Sequence, residues 1–111
     1  MKLQTKKVGN VIVVYLTGRL DVQLSILIEK EIHQLIQNEP TCHLLLNLSD
    51  VKYMSSSGIR IFVSTTRILK ETDRKLKLCN LSESVKKIFE IVELLDMFDV
   101  YYSEESAIKD F

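Results

Sequence analysis

Tyr53-Met54-Ser55-Ser56-Ser57-Gly58-Ile59-Arg60 places three consecutive hydroxyls and a glycine between a β-strand pattern and a helical one. Upstream, His43 to Leu48 (HLLLNL) reads as a buried strand. Downstream, the spacing predicts a helix from about Ser57 to Leu69, with apolar or small residues at Ile59, Phe62, Val63 and Thr66. A serine at such a junction can accept hydrogen bonds from the free backbone amides of the first helical turn. The same amides, with the positive end of the helix dipole, favour a phosphate.

The pattern extends in both directions. Leu3 to Val8 and Val11 to Thr17 are strand-like and joined at Gly9-Asn10, a pair that tolerates the positive φ angles of a tight hairpin. Val11 to Leu16 is almost continuously apolar and β-branched, as expected of a central strand covered on both faces. Gly18-Arg19-Leu20-Asp21 breaks it, and Leu24, Ile28, Ile32, Leu35 and Ile36 then recur at helical spacing before Pro40. After the serine-led helix, a charged turn (Glu71 to Lys75) leads to the strand Leu76-Lys77-Leu78-Cys79. Ser82 to Ser84 precede a helix with Val85, Ile88, Phe89 and Val92 on one face. Val100-Tyr101-Tyr102 offers a short last strand, and Glu104 to Phe111 a final helical turn or two. Strands alternating with helices predict an α/β fold: a small, mixed, mostly parallel sheet with an N-terminal hairpin and about four flanking helices.

Composition narrows the function classes. A chain of 111 residues, 46% hydrophobic, suits one compact domain spanning residues 1–111. Basic and acidic residues balance at 15 each, so the global basic field that non-specific nucleic-acid binding relies on is missing. No apolar run has the length of a membrane span and MKLQTKK lacks a signal-peptide core, so a cytoplasmic protein without direct membrane insertion is expected. Cys42 and Cys79, with no CxxC and no suitably spaced histidine, read as buried free thiols. His33 and His43 carry no signature of a catalytic base. There is no G-x-S-x-G elbow, no evident triad and no Gly-rich phosphate loop, which argues against a serine-nucleophile enzyme.

Gly18-Arg19-Leu20-Asp21, Leu45-Leu46-Asn47-Leu48-Ser49, Met54-Ser55-Ser56-Ser57-Gly58-Ile59, Leu76-Lys77-Leu78-Cys79-Asn80 and the segment ending in Phe98-Asp99-Val100-Tyr101 occur in the order found in STAS domains. Over nearly its whole length the chain resembles the STAS-domain anti-sigma factor antagonists, and S-S-S-G-I corresponds to that family's D-S-S-G-L-like turn. The resemblance implies the STAS fold and a partner-switching role in transcription regulation. It implies an anti-sigma factor that is itself a serine kinase with a histidine-kinase-like ATPase fold, and a metal-dependent serine phosphatase that reverses the mark. ATP and magnesium would belong to the kinase; the domain itself would hold no metal or cofactor. The phospho-acceptor falls on Ser56, with Ser55 and Ser57 as alternates, and the partner-binding surface on Asp21, Ser55, Ser56, Ser57, Gly58 and Arg60. The family's aspartate before the acceptor is Ser55 here, which removes a carboxylate beside the reacting hydroxyl and adds a competing hydroxyl. Asn47 takes a strand-end position where the family has Asp or Asn. The oligomeric state implied is a monomer or weak dimer.

Several of these residues also have plain structural readings. Ser55 to Ser57 can serve only as a cap and polar loop, Gly58 can allow close helix-to-sheet approach, and Asp21 can cap the first helix. Ile26 and Ile61 fall off the main apolar faces and read as exposed, either scattered or as anchors for a partner. Arg60 and Arg67 read as solvated helix charges, although Arg60, four residues after Ser56, can pair with a phosphate there. The alternative function is a non-phosphorylated STAS scaffold subunit of a transporter's cytoplasmic face or a signalling complex, for which binding would ignore a Ser56→Asp change.

Overall fold

The computed structural model describes residues 3–111. β1 (Gln4–Val8) and β2 (Val11–Leu20) form the hairpin, followed by α1 (Val22–Asn38), β3 (His43–Met54), α2 (Ser56–Lys70), β4 (Leu76–Cys79), α3 (Glu83–Ile91), a 3-10 turn (Leu95–Met97), β5 (Asp99–Tyr101) and α4 (Glu104–Lys109). The five strands lie in sequence order; β1 is antiparallel to β2, and the remaining pairs are parallel. The expected mixed sheet with an N-terminal hairpin and four helices is therefore present. Gly9, at φ +59, supplies the positive angle of the hairpin turn.

Alternate residues of the strands serve two unequal cores. Ile12, Val14, Leu16, Leu44, Leu46, Leu48 and Leu78 pack with Ile28 and Ile32 of α1, Ile59 and Phe62 of α2, and Val85 and Phe89 of α3. The opposite face buries Val11, Val13, Leu45 and Cys79 under Ala107 of α4, with half-buried Tyr15, Tyr101 and Phe111 packed around them. The prediction that Val11 to Leu16 is covered on both faces holds except at half-buried Tyr15, but the middle strand of the sheet is β3, and β2 lies beside it. Both cysteines are buried free thiols, Cys42 in the larger core and Cys79 in the smaller.

The strand ends differ from the sequence expectation. β2 runs through Gly18 and Arg19 to Leu20, and β3 continues past Leu48 to Met54, so Asn47 is not at a strand end. Both extensions pass through irregularities. Between the pairs Tyr15–Asn47 and Thr17–Asp50, one residue of β2 faces two of β3, and the register shifts again between Gly18 and Arg19, with Gly18 at φ +93. Bulges accommodate polar and glycine residues that resemble a loop in sequence. Ile61, expected to be exposed, is 2% exposed and sits in the main core, because α2 is covered by α1 as well as by the sheet. Val92, expected on the apolar face of α3, lies beyond its end and is 42% exposed.

Two buried cations had no recognisable signal in the sequence. Arg74 donates from Nη1 to the carbonyls of Ile36, Glu39 and Cys42 and from Nε to Thr72, so it satisfies the backbone where α1 ends. Lys77 lies beneath the C-terminal segment, donating to the Tyr101 hydroxyl at 2.8 Å with Asp99 and Asp110 at 3.6 and 3.8 Å. α4 is thus held largely by polar contacts around a small apolar centre. At its start, burial pushes the Glu104 carboxyl up, but bonds from Tyr15 and Asn47 and the charge of Lys6 outweigh this and hold it below the usual carboxylate range. At its end, Asp110 is held down by the Tyr101 hydroxyl and Lys77.

A depressed carboxyl stabilises the folded form above the ordinary carboxylate range, and that contribution is lost as pH falls through its lowered value. Acid is therefore expected to release α4 before the larger core. The check is labelling with a pyridyl disulfide, which reacts with thiols in acid: below the ordinary carboxylate range Cys79, under α4, gains reactivity relative to Cys42. An unchanged ratio down to the pH of global unfolding would contradict this.

Candidate functional site

The carboxyl ends of β2 and β3 are adjacent, and a helix starts from each. Leu20 pairs with Met54 as the last residues of the two strands, so Asp21 and Ser55 emerge side by side. Asp21 caps α1, its Oδ1 accepting from the Leu24 amide at 2.9 Å. Ser55 caps α2, its Oγ accepting from the Gly58 amide at 3.2 Å. The corner is joined across the strands by the Leu20 carbonyl, which accepts from both the amide and the hydroxyl of Ser55, each at 2.9 Å. Two helix N-termini, and the positive ends of two dipoles, therefore lie together at one end of the sheet.

Gly58 makes this close approach possible. A Cβ built there would lie 2.7 Å from Met54 Cγ and 3.2 Å from Leu20 Cβ, so any side chain would push α2 off the strand ends. Gly58 is not at a positive φ; the requirement is space.

The three serines have different environments. Ser55 uses its hydroxyl as donor to Leu20 and acceptor from Gly58, which commits it to the fold. Ser56, one residue earlier than the expected helix start, opens α2 and is exposed, and its hydroxyl has no protein partner among the described residues. Ser57 is half-buried. Arg60, one turn after Ser56, is exposed. Where the family resemblance leads one to expect a carboxylate, Ser55 supplies a cap of the same kind, since a serine oxygen accepts the amide bond, and its hydroxyl is occupied.

Sequence reasoning missed part of the surface. The Arg19 guanidinium lies 4.6 Å over the Tyr53 ring on the strand ends beside Ser55. Val22 and Ile26, one turn apart at the start of α1, are 56% and 63% exposed next to Asp21. Ile26 thus keeps its expected exposure. The signal for Val22 was its place directly after a capping aspartate, in the first turn of a helix. No group of three or more His, Cys, Asp or Glu side chains is arranged to hold a metal among the described residues.

These roles separate by mutation. Ser55→Ala, which removes the cap, is expected to cost about 0.5–2 kcal/mol, whereas Ser56→Ala should stay within about 0.5 kcal/mol of the parent. Gly58→Ala, favourable in an open helix, is expected here to destabilise by about 1–3 kcal/mol through overpacking against Met54 and Leu20. Urea unfolding followed by circular dichroism reads all three; a Ser56→Ala loss equal to that of Ser55→Ala would contradict the assignment.

Comparison with known proteins agrees with this architecture. The STAS domain family matches residues 2–107. The chain is 31% identical over 109 residues to the anti-sigma-B factor antagonist of Bacillus subtilis, covering 98% of each protein. Among solved structures, the unphosphorylated form of the anti-sigma factor antagonist SpoIIAA superposes with a TM-score of 0.82 at 26% identity, covering 97% of this chain and 94% of that one. The phosphorylated form of the Bacillus cell fate determinant SpoIIAA gives 0.72 at 25% identity, covering 97% of each. With the serine-led helix seated on paired strand ends and a match across almost its full length, the chain belongs to the STAS-domain anti-sigma factor antagonist family.

Proposed function

We propose that this chain, acting as one STAS domain over residues 1–111 in the cytoplasm, binds an anti-sigma factor and is released from it by phosphorylation of Ser56. The observation that carries the reading is the exposed, unengaged hydroxyl of Ser56 on the first residue of α2, beside a Ser55 whose hydroxyl is already bonded twice. A named relative has been solved both with and without phosphate, which supports a phosphorylation switch in this family. The contact surface comprises Asp21, Ser55, Ser56, Ser57 and Arg60, extended by the exposed apolar residues Val22 and Ile26, whereas Gly58, expected on that surface, is buried against Met54 and Leu20 and shapes it from beneath. Such a patch, with exposed apolar residues beside hydroxyls and charges, suits a protein partner.

A phosphate on Ser56 adds about −1.5 to −2 charges at neutral pH. It sits at the positive end of α2, within one turn of Arg60, so the fold tolerates it. In an interface the same group must be desolvated or face the partner's acidic residues, costing about 2–5 kcal/mol. At about 1.4 kcal/mol per decade, affinity falls roughly 30-fold to several thousand-fold. The kinase activity belongs to the anti-sigma factor, a histidine-kinase-like ATPase that brings ATP and magnesium, and a serine phosphatase restores the binding form.

Titration calorimetry with the cognate anti-sigma factor tests the proposal. Ser56→Ala is expected to bind like the parent and to resist the kinase, and Ser56→Asp to weaken binding by about 30-fold or more while its circular dichroism and unfolding midpoint stay unchanged. Unaltered affinity of folded Ser56→Asp would contradict the switch and favour a non-phosphorylated scaffold subunit.

A further inference from the structure

The irregularity in β3 that carries the chain to the serine corner is held from the opposite face of the sheet. Tyr15 and Asn47 are the last in-register pair of β2 and β3 before the bulge, and Asn47 bonds Glu104, the first residue of α4. Asn47 donates from Nδ2 to Glu104 Oε1 at 2.9 Å, and its Oδ1 accepts from the Ser49 amide at 3.0 Å. The Glu104 carboxylate and burial together push the Tyr15 hydroxyl up to about 12, so Tyr15 stays neutral beside it. Asn47 is only 8% exposed, so water has little access to replace either bond.

The two ends of an asparagine amide are nearly the same shape and opposite in hydrogen-bonding character. An ionised carboxylate is an acceptor only, so Glu104 draws Nδ2 towards itself and leaves Oδ1 facing Ser49. Without Glu104 the amide is free to flip, and a flipped amide would present its NH2 to the Ser49 N–H, donor against donor. The Ser49 amide lies inside the bulge, and the bulge sets the direction in which Asp50 to Met54 deliver Ser55 and Ser56.

We propose that Glu104 is a positioning residue for the serine corner: acting through Asn47 it fixes the bulge amide of Ser49 and so the seating of the α2 N-terminus. Its regulatory weight rests on the reading of Ser56 as the switch; the coupling itself does not.

Hydrogen exchange read by mass spectrometry on the full chain tests the coupling without partner or kinase, so its failure and that of the Ser56 reading are separate results. Glu104→Ala is expected to speed exchange across residues 49–57 by about tenfold or more relative to residues 28–36 of α1, which report global unfolding. Asp110→Asn, which loosens only the far end of the C-terminal segment, should leave that ratio within about twofold. Asn47→Leu, apolar and of similar size at a buried position, removes the same acceptor and serves if Glu104→Ala does not fold; it should reproduce the tenfold change. An unchanged ratio in Glu104→Ala or Asn47→Leu, or an equal rise in Asp110→Asn, would overturn the proposal.

Discussion

The Leu20 carbonyl, accepting from both the amide and the hydroxyl of Ser55, is the contact on which the functional end of this molecule depends. It ties the last residue of β2 to the residue after β3, and each of those strands hands over directly to a helix. The caps of α1 and α2 therefore have a fixed separation, and the two dipoles converge. Gly58 belongs to the same constraint, because only a residue without a side chain lets the first turn of α2 rest on Leu20 and Met54. The rigidity of this corner separates chemistry from folding. Ser55 bears the structural role, and Ser56, one residue further on, is exposed and takes part in no bond the fold requires.

The sheet is asymmetric in how it is covered. One face is buried by three helices and most of the apolar residues, including the stacked rings of Phe62 and Phe89 with Phe98 edge-on to both. The other carries a small apolar centre under α4, ringed by Lys6, Tyr15, Asn47, Lys77 and Tyr101, each from a different strand. A short helix held by charge-assisted bonds responds to pH and mutation more readily than a helix held by area, since each bond lost is a large share of what seats it. The serine corner lies at the end of the well-covered face, which gives the proposed switch a rigid seat.

Much of this was legible in the sequence because the apolar periods of β2, α1, β3 and α2 are strong and the turn between β3 and α2 is marked by serines and glycine. The strand ends were not, because Gly18 and the polar pair Ser49-Asp50 look like loop and in fact lie at or beside the two register shifts, where a strand tolerates them. Ile61 was misjudged because the periodicity of one helix says nothing about a second helix lying across it. The identity of the capping serine was open for a different reason: three adjacent hydroxyls offer the same chemistry, and only the tertiary position of the Leu20 carbonyl selects Ser55. Arg74 and Lys77 were invisible because a buried cation is recognised by its partners, which are distant in sequence.

The central claim is that the fold commits Ser55 and leaves Ser56 as the phospho-acceptor. Peptide mass spectrometry of the protein taken from its own cells, across the tryptic peptide from Tyr53 to Arg60, tests it most directly. The account predicts phosphate on Ser56, with Ser55 and Ser57 bare. Phosphate on Ser55, or none on this peptide in any growth state, would contradict it.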